Sequence, residues 1–147
     1  MNLILIGHSG CGKSTLIQRL EDEDLVYKKT QTVEYNGRCI DTPGEYLQNR
    51  AYYRALLMSA VDADIIGLTE DCLMSDVWLQ PAFAGVFAKE VIGIVTKIDI
   101  AESREAIDEA VERLKMAGVS RVFEVSAMTG EGVDSLKKYL RRRNEDL

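Results

Sequence analysis

The sequence predicts an open α/β fold: a mostly parallel sheet with helices on both faces, plus one antiparallel hairpin strand. Three observations predict it. Short, continuous apolar runs recur along the chain, as expected of parallel strands buried on both faces. Segments with helical apolar spacing separate those runs. A single Asn-Gly pair sits between two short strand-like stretches, which is the strongest short-range hairpin pattern. Strands that alternate with helices pack as one sheet between helical layers. The 147 residues suit one domain over 1–147 with a real core.

Leu3 to Ile6 is the first buried strand, and Lys13 to Leu20 the first helix, with Leu16, Ile17 and Leu20 facing inward. Thr32 to Tyr35 and Arg38 to Ile40 flank Asn36-Gly37 and read as the hairpin. Tyr46 to Ala60 has helical spacing, and Asp64 to Leu68 is the next strand. Residues 69–80 carry no clear pattern. Pro81 suits the first position of a short helix ending near Phe87. Val91 to Val95 is a further buried strand. Ser103 to Met116 is the clearest helix, with Ile107, Val111 and Leu114 on one face, Ser103 as cap and Gly118 as terminator. Val122 to Val125 is the last strand, and Val133 to Arg142 the last helix.

Composition excludes several classes. A net charge of -6 opposes nucleic acid as the main partner, since a phosphate backbone attracts a basic face. The basic run Lys137, Lys138, Arg141, Arg142 and Arg143 complements the C-terminal dipole of a helix. Cys11, Cys39 and Cys72 form no C-x-x-C pair, which fits a reducing cytoplasm rather than a disulfide framework. No apolar run is long enough to span a bilayer. The opening residues lack the basic start and cleavage site of a signal peptide.

The chemistry starts at Gly7-His8-Ser9-Gly10-Cys11-Gly12-Lys13-Ser14-Thr15. The stretch follows a predicted strand and opens a predicted helix, the setting in which G-x-x-x-x-G-K-S holds phosphate. Glycines let backbone amides turn inward, and the helix N-terminus adds partial positive charge. Lys13 can bridge the outer phosphates, and the Ser14 hydroxyl is placed to ligate Mg2+. A chance match in a chain this long is on the order of one in two hundred. Ser9, Gly10, Cys11, Gly12 and Thr15 complete the loop, Cys11 through its amide and a small apolar side chain. His8 suits a loop position better than that of a catalytic base.

Further along, Asp41-Thr42-Pro43-Gly44 follows a strand. Asp41 can hold Mg2+ through a water, and the Gly44 amide can bond a terminal phosphate. Thr30 and Thr32 lie between the two motifs. Thr30 is the better candidate to complete the Mg2+ shell, because Thr32 opens the hairpin strand. Thr96-Lys97-Ile98-Asp99 follows another buried strand. Asp99 can accept from the guanine ring nitrogen and amine, whereas adenine would leave the carboxylate unpaired. The Lys97 stem can pack over the base. Ser126-Ala127-Met128 follows the last strand, where a backbone amide can reach the guanine oxygen. Ligands on such sheets bind at the C-terminal strand ends, where all of these motifs fall.

In this order GHSGCGKS, DTPG, TKID and SAM resemble the small GTPase-type P-loop NTPases, over nearly the whole chain, in a shortened Ras-like form. KKTQTVEYNGRCIDTPGEY, the Pro81 region and VIGIVTKID are more closely similar to the bacterial EutP/PduV family of ethanolamine and propanediol utilisation. That resemblance implies a cytoplasmic GTP/GDP-binding protein near a microcompartment shell or pathway enzymes. Two positions depart from the wider pattern. Thr96 stands where the base reader usually has asparagine, which ties the base loop to the phosphate loop. Glu45 stands where many switch GTPases have glutamine, and a carboxylate there meets like charge. Slow unaided hydrolysis is the expectation, with a partner, potassium or a homodimer supplying the missing charge. Arg50 and Arg54 suit an exposed face better than that role. The short span between Ser14 and Asp41 leaves little room for a long first switch. Two other functions remain open: a small-molecule phosphotransferase of the acetate or propionate kinase type, and a nucleotide-bound adaptor that docks on a shell without hydrolysis.

Overall fold

A computed structural model of the chain describes residues 2–8, 10–27, 36–41, 50–73, 79 and 81–146. Among the described residues, five strands form one sheet: β1 (Asn2–Gly7), β2 (Asn36–Asp41), β3 (Ile65–Asp71), β4 (Glu90–Thr96) and β5 (Val122–Glu124). Their spatial order is β2-β1-β3-β4-β5, and every described pair is parallel. Four α-helices accompany them among the described residues: α1 (Lys13–Tyr27), α2 (Arg50–Ser59), α3 (Arg104–Met116) and α4 (Val133–Glu145).

The period-2 alternation of the strands divides the core in two. Ile4, Ile6, Ile66, Leu68, Val91 and Val95 face Leu56 of α2 and Ile107, Ala110 and Leu114 of α3. Leu3, Leu5, Ile65, Ile92 and Ile94 face Leu16, Ile17 and Leu20 of α1 and Leu136 and Leu140 of α4. Fully burying one such side chain contributes about 1.5–3 kcal/mol, so the central strands β1, β3 and β4 anchor both layers. The amide of Asn2 donates to Asp64 Oδ2 at 2.6 Å and fixes where β1 starts against β3. Helix α3 begins as its sequence predicts, with Ser103 Oγ accepting from the Ala106 amide, and the chain leaves it through Gly118 at φ +94°.

Four elements differ from expectation, the first being α1, which runs on past Leu20 to Tyr27. Asn36 and Gly37 are the first two residues of β2, paired with Asn2 and Leu3, rather than a two-residue turn. The reason is tertiary: a Cβ on Gly37 would stand 2.7 Å from Ile17 Cγ2, so the glycine is there to admit α1. The proposed hairpin partner, Thr32 to Tyr35, lies outside the described residues. Strand β3 runs on through Glu70 and Asp71, past the apolar run. The short helix near Pro81 is a 3-10 turn over Phe83–Val86, and Pro81 precedes it by two residues because Ala82 adopts φ 65°. The amides of Ala82 and Ala84 donate to the Met116 and Ala117 carbonyls and dock this turn on the end of α3.

Candidate functional site

The sequence motifs meet along one edge of the sheet, at the C-terminal ends of β1, β2, β4 and β5. Between Gly7 and Lys13 the chain turns from strand to helix. A side chain at Gly7 would meet the Thr69 carbonyl at 2.5 Å, so only glycine passes there. Gly10 and Gly12 adopt φ +81° and +96°, the left-handed conformations that curl the loop. The Cys11 amide donates to the His8 carbonyl at 3.2 Å and closes the turn.

Lys13 folds back beneath this loop and is 3% exposed. Its Nζ donates to the Gly7 carbonyl at 2.9 Å, to the His8 carbonyl at 2.6 Å and to Cys11 Sγ at 3.5 Å. One cation is thereby held at the mouth of a helix whose own N-terminus is partly positive, an arrangement suited to a polyanion. Burial pushes the Cys11 thiol above its ordinary range, against a smaller opposing pull from Lys13. Ser9 lies outside the described residues.

Ser14 and Thr15 are exposed at the start of α1. Ser14 Oγ lies 3.8 Å from Cys39 Sγ. Cys39 is two residues before Asp41, the last residue of β2, which pairs with Gly7. The Ser14 hydroxyl thus faces the strand whose end carries Asp41. A hydroxyl and a carboxylate are ligand types that suit Mg2+, which keeps several waters and takes few protein ligands. Among the described residues no group of three or more His, Cys, Asp or Glu stands ready to hold a metal by itself. The Asp41 side chain, Thr30, Thr32, Gly44 and Glu45 lie outside the described residues.

At the other end, the Thr96 hydroxyl donates to the Cys11 carbonyl and lies 3.3 Å from the Glu70 carbonyl. Threonine therefore ties the end of β4 to the phosphate loop. Lys97 Nζ donates to the Gly10 carbonyl at 2.7 Å, and a side chain at Gly12 would meet the Lys97 stem at 3.9 Å. Asp99 sits exposed in the 3-10 turn Ile98–Ile100. Ser126 is fully buried. Its amide donates to the Glu131 carbonyl at 2.8 Å, and its Oγ accepts from the Thr129 amide at 3.1 Å. Ser126 thus shapes the last loop from within.

Sequence reasoning missed two acids. Glu70 and Asp71 are 3% and 5% exposed at the end of β3. Glu70 Oε2 accepts from Arg113 Nε at 2.6 Å, and Asp71 Oδ2 pairs with Lys97 Nζ at 2.9 Å. Two acids directly after an apolar run, in a stretch without helical or strand periodicity, were the only trace of them.

The family model described as ethanolamine utilisation - propanediol utilisation, PduV-EutP, matches residues 1–142. The "Propanediol utilization protein PduV" of Citrobacter freundii is 44% identical over 138 residues, covering 94% of this chain and 91% of the relative. The "Probable acetate kinase EutP" of Escherichia coli (strain K12) is 27% identical over 140 residues, covering 94% and 87%. Among solved structures, elongation factor SelB from Methanococcus maripaludis, in complex with the GTP analogue GppNHp, superposes with a TM-score of 0.64 at 23% identity, over 99% of this chain and 34% of the factor. Aquifex aeolicus Era Y63A bound to GDP·AlF4- gives 0.62 at 18% identity, over 97% of this chain and 56% of Era. The fold is that of P-loop GTPases. Among the described residues no helix is long and apolar enough to cross a membrane.

Proposed function

The chain belongs to the PduV-EutP family of ethanolamine and propanediol utilisation proteins, and from that premise we propose that it binds GTP with Mg2+ and hydrolyses it slowly. One observation carries the reading: the Gly7–Lys13 loop and the Thr96–Asp99 turn, far apart in sequence, are tied together by the Thr96 hydroxyl on the Cys11 carbonyl. In this reading Gly7, Ser9, Gly10, Cys11, Gly12 and Thr15 line the phosphates, and Lys13 bridges the outer two. Thr96 and Lys97 carry the base loop, Asp99 selects guanine, and the Ala127 or Met128 amide reaches the guanine oxygen. Ser126 holds that loop in shape.

The reaction is in-line attack of water on the terminal phosphorus. A new P–O bond forms to the water oxygen, the bond to the bridging oxygen breaks, and the water proton passes to solvent. Lys13 and the loop amides hold the oxygens on which charge accumulates. Ser14, Asp41 and Thr30 would hold Mg2+, which when bound neutralises phosphate charge, and the Gly44 amide would sense the terminal phosphate. With Glu45 at the position where many switch GTPases have glutamine, the expected turnover is slow without a partner, potassium or a second copy. The setting is the bacterial cytoplasm, beside a microcompartment.

A second reading has one observation in its favour, the relative described as a probable acetate kinase. The same phosphate loop would then pass the terminal phosphoryl group to a small carboxylate. The test is a titration with fluorescent guanine and adenine nucleotides, with and without Mg2+, followed by product analysis. Lys13→Ala is expected to weaken binding of both nucleotides, and Asp99→Asn to erase the preference for guanine. A native preference for ATP would overturn the proposal. An acyl phosphate formed faster than inorganic phosphate would favour the phosphotransferase.

A further inference from the structure

Asp71 and Cys72, where β3 ends, grip the two residues at the end of β4. The Cys72 amide donates to the Thr96 carbonyl at 3.4 Å, and the Cys72 thiol donates to the Lys97 carbonyl at 3.3 Å. Burial, reinforced by the Asp71 charge, pushes that thiol above its ordinary range, so it keeps the proton it donates. Asp71 Oδ2 takes the Lys97 ammonium at 2.9 Å. Lys97 itself adopts φ 62°, left-handed backbone that is unfavourable for a non-glycine residue and persists only where surroundings over-determine it.

We propose that Asp71 is a positioning residue for guanine-nucleotide binding: its buried carboxylate holds the Lys97 ammonium across the Gly10 carbonyl, so that the lysine stem stands ready as the platform for the base. The inference rests on the reading of the site as a guanine-nucleotide site and adds to it a residue outside the four motifs. A purely structural role accounts for half of the geometry. Asp71 Oδ1 accepts from the Leu73 amide at 2.7 Å and shapes its own turn. It does not account for Oδ2, which reaches across to another strand exit. Nor does it account for a 5% exposed carboxylate paired with a lysine that is one-third exposed and bonded to the phosphate loop. A lysine stem held in place before the ligand arrives loses less freedom on binding. Charge-assisted bonds are the stronger ones, so the carboxylate, rather than a neutral amide, is what fixes the head.

The test uses the full chain. Asp71→Asn preserves the Oδ1 bond to Leu73 and weakens the hold on Lys97. It is expected to lower affinity for fluorescent GDP about tenfold, and to lower it no further in a chain that already carries Lys97→Met, since the two residues act as a unit. Lys97→Met alone should show the same tenfold loss, which keeps the test open if Asp71→Asn folds poorly. In ligand-free protein, Asp71→Asn should speed amide exchange at Ile98 and Ile100. An equal loss from Asp71→Asn with and without Lys97→Met, unchanged GDP affinity, or unchanged exchange would each overturn the inference. Failure of the underlying functional reading looks different: native protein takes up no guanine nucleotide, while exchange still quickens in Asp71→Asn.

Discussion

At the scale of single residues, the three cysteines separate by environment. Cys39 is exposed on β2, whereas Cys11 and Cys72 are 2% and 5% exposed, and burial pushes both of those thiols up. The thiolate is the reactive form, so both access and ionisation protect the buried pair. Brief iodoacetamide treatment of the native protein, read by peptide mass spectrometry, is therefore expected to label Cys39 well before the others. Labelling of Cys11 as fast as Cys39 would show that the phosphate loop opens readily. Residue by residue, the sequence was most informative where chemistry depends on neighbours in the chain. Gly10, Gly12, Lys13 and Ser14 fall in place because a strand-to-helix turn fixes them locally. Thr96 carries a different lesson. It stands where asparagine is usual, and its shorter side chain still reaches the Cys11 carbonyl.

Elements meet through the Glu70–Arg113 pair, which joins β3 to α3 across 43 residues of sequence. Burial raises the Glu70 carboxyl above its ordinary 4.5, and the pull of Arg113 does not cancel that effect. The folded state thus binds this proton more tightly than the unfolded chain. Its contribution to stability is fully present below the ordinary value and is lost as pH rises through the folded one. Urea unfolding across this range should show native protein losing ground to Glu70→Gln as pH rises above 4.5, and then a constant gap. Arg113→Ala leaves the carboxylate buried without its cation. It should cost about 3–5 kcal/mol near neutrality, and less in acid, where Glu70 is protonated. A gap that widens in acid would sink the argument. The elements themselves were legible where their cues are local, as with Ser103 and Gly118 around α3. They were not legible where a distant partner decides. Gly37 answers to Ile17 of α1, and Glu70 and Asp71 could extend β3 only because Arg113 and Lys97 receive their charges.

For the molecule as a whole, the proposed nucleotide site draws its described residues from loops that follow β1, β4 and β5, each rooted in a strand buried between two helical layers. An acidic chain of net charge -6 can still offer the proposed site a local field of opposite sign, from Lys13 and the start of α1, while the Lys97 charge is met by Asp71. A ligand that bridges these loops binds the folded chain and not the unfolded one, so its affinity appears as stability. At a hundredfold excess over its dissociation constant the gain is about 2.7 kcal/mol. For a chain of this size that is a rise in Tm of roughly 5–10 °C. GDP with Mg2+ is expected to give such a rise by calorimetry, and ADP at the same concentration far less. Lys13→Ala should remove it, because the ammonium beneath the loop is the centre of the proposed anion site. High salt should shrink it, since part of the attraction is screened charge. Equal shifts with GDP and ADP would leave the phosphate loop standing and remove Asp99 as the group that reads the base. The absence of any shift with either nucleotide would remove the loop as well, and with it the reason these strand ends converge.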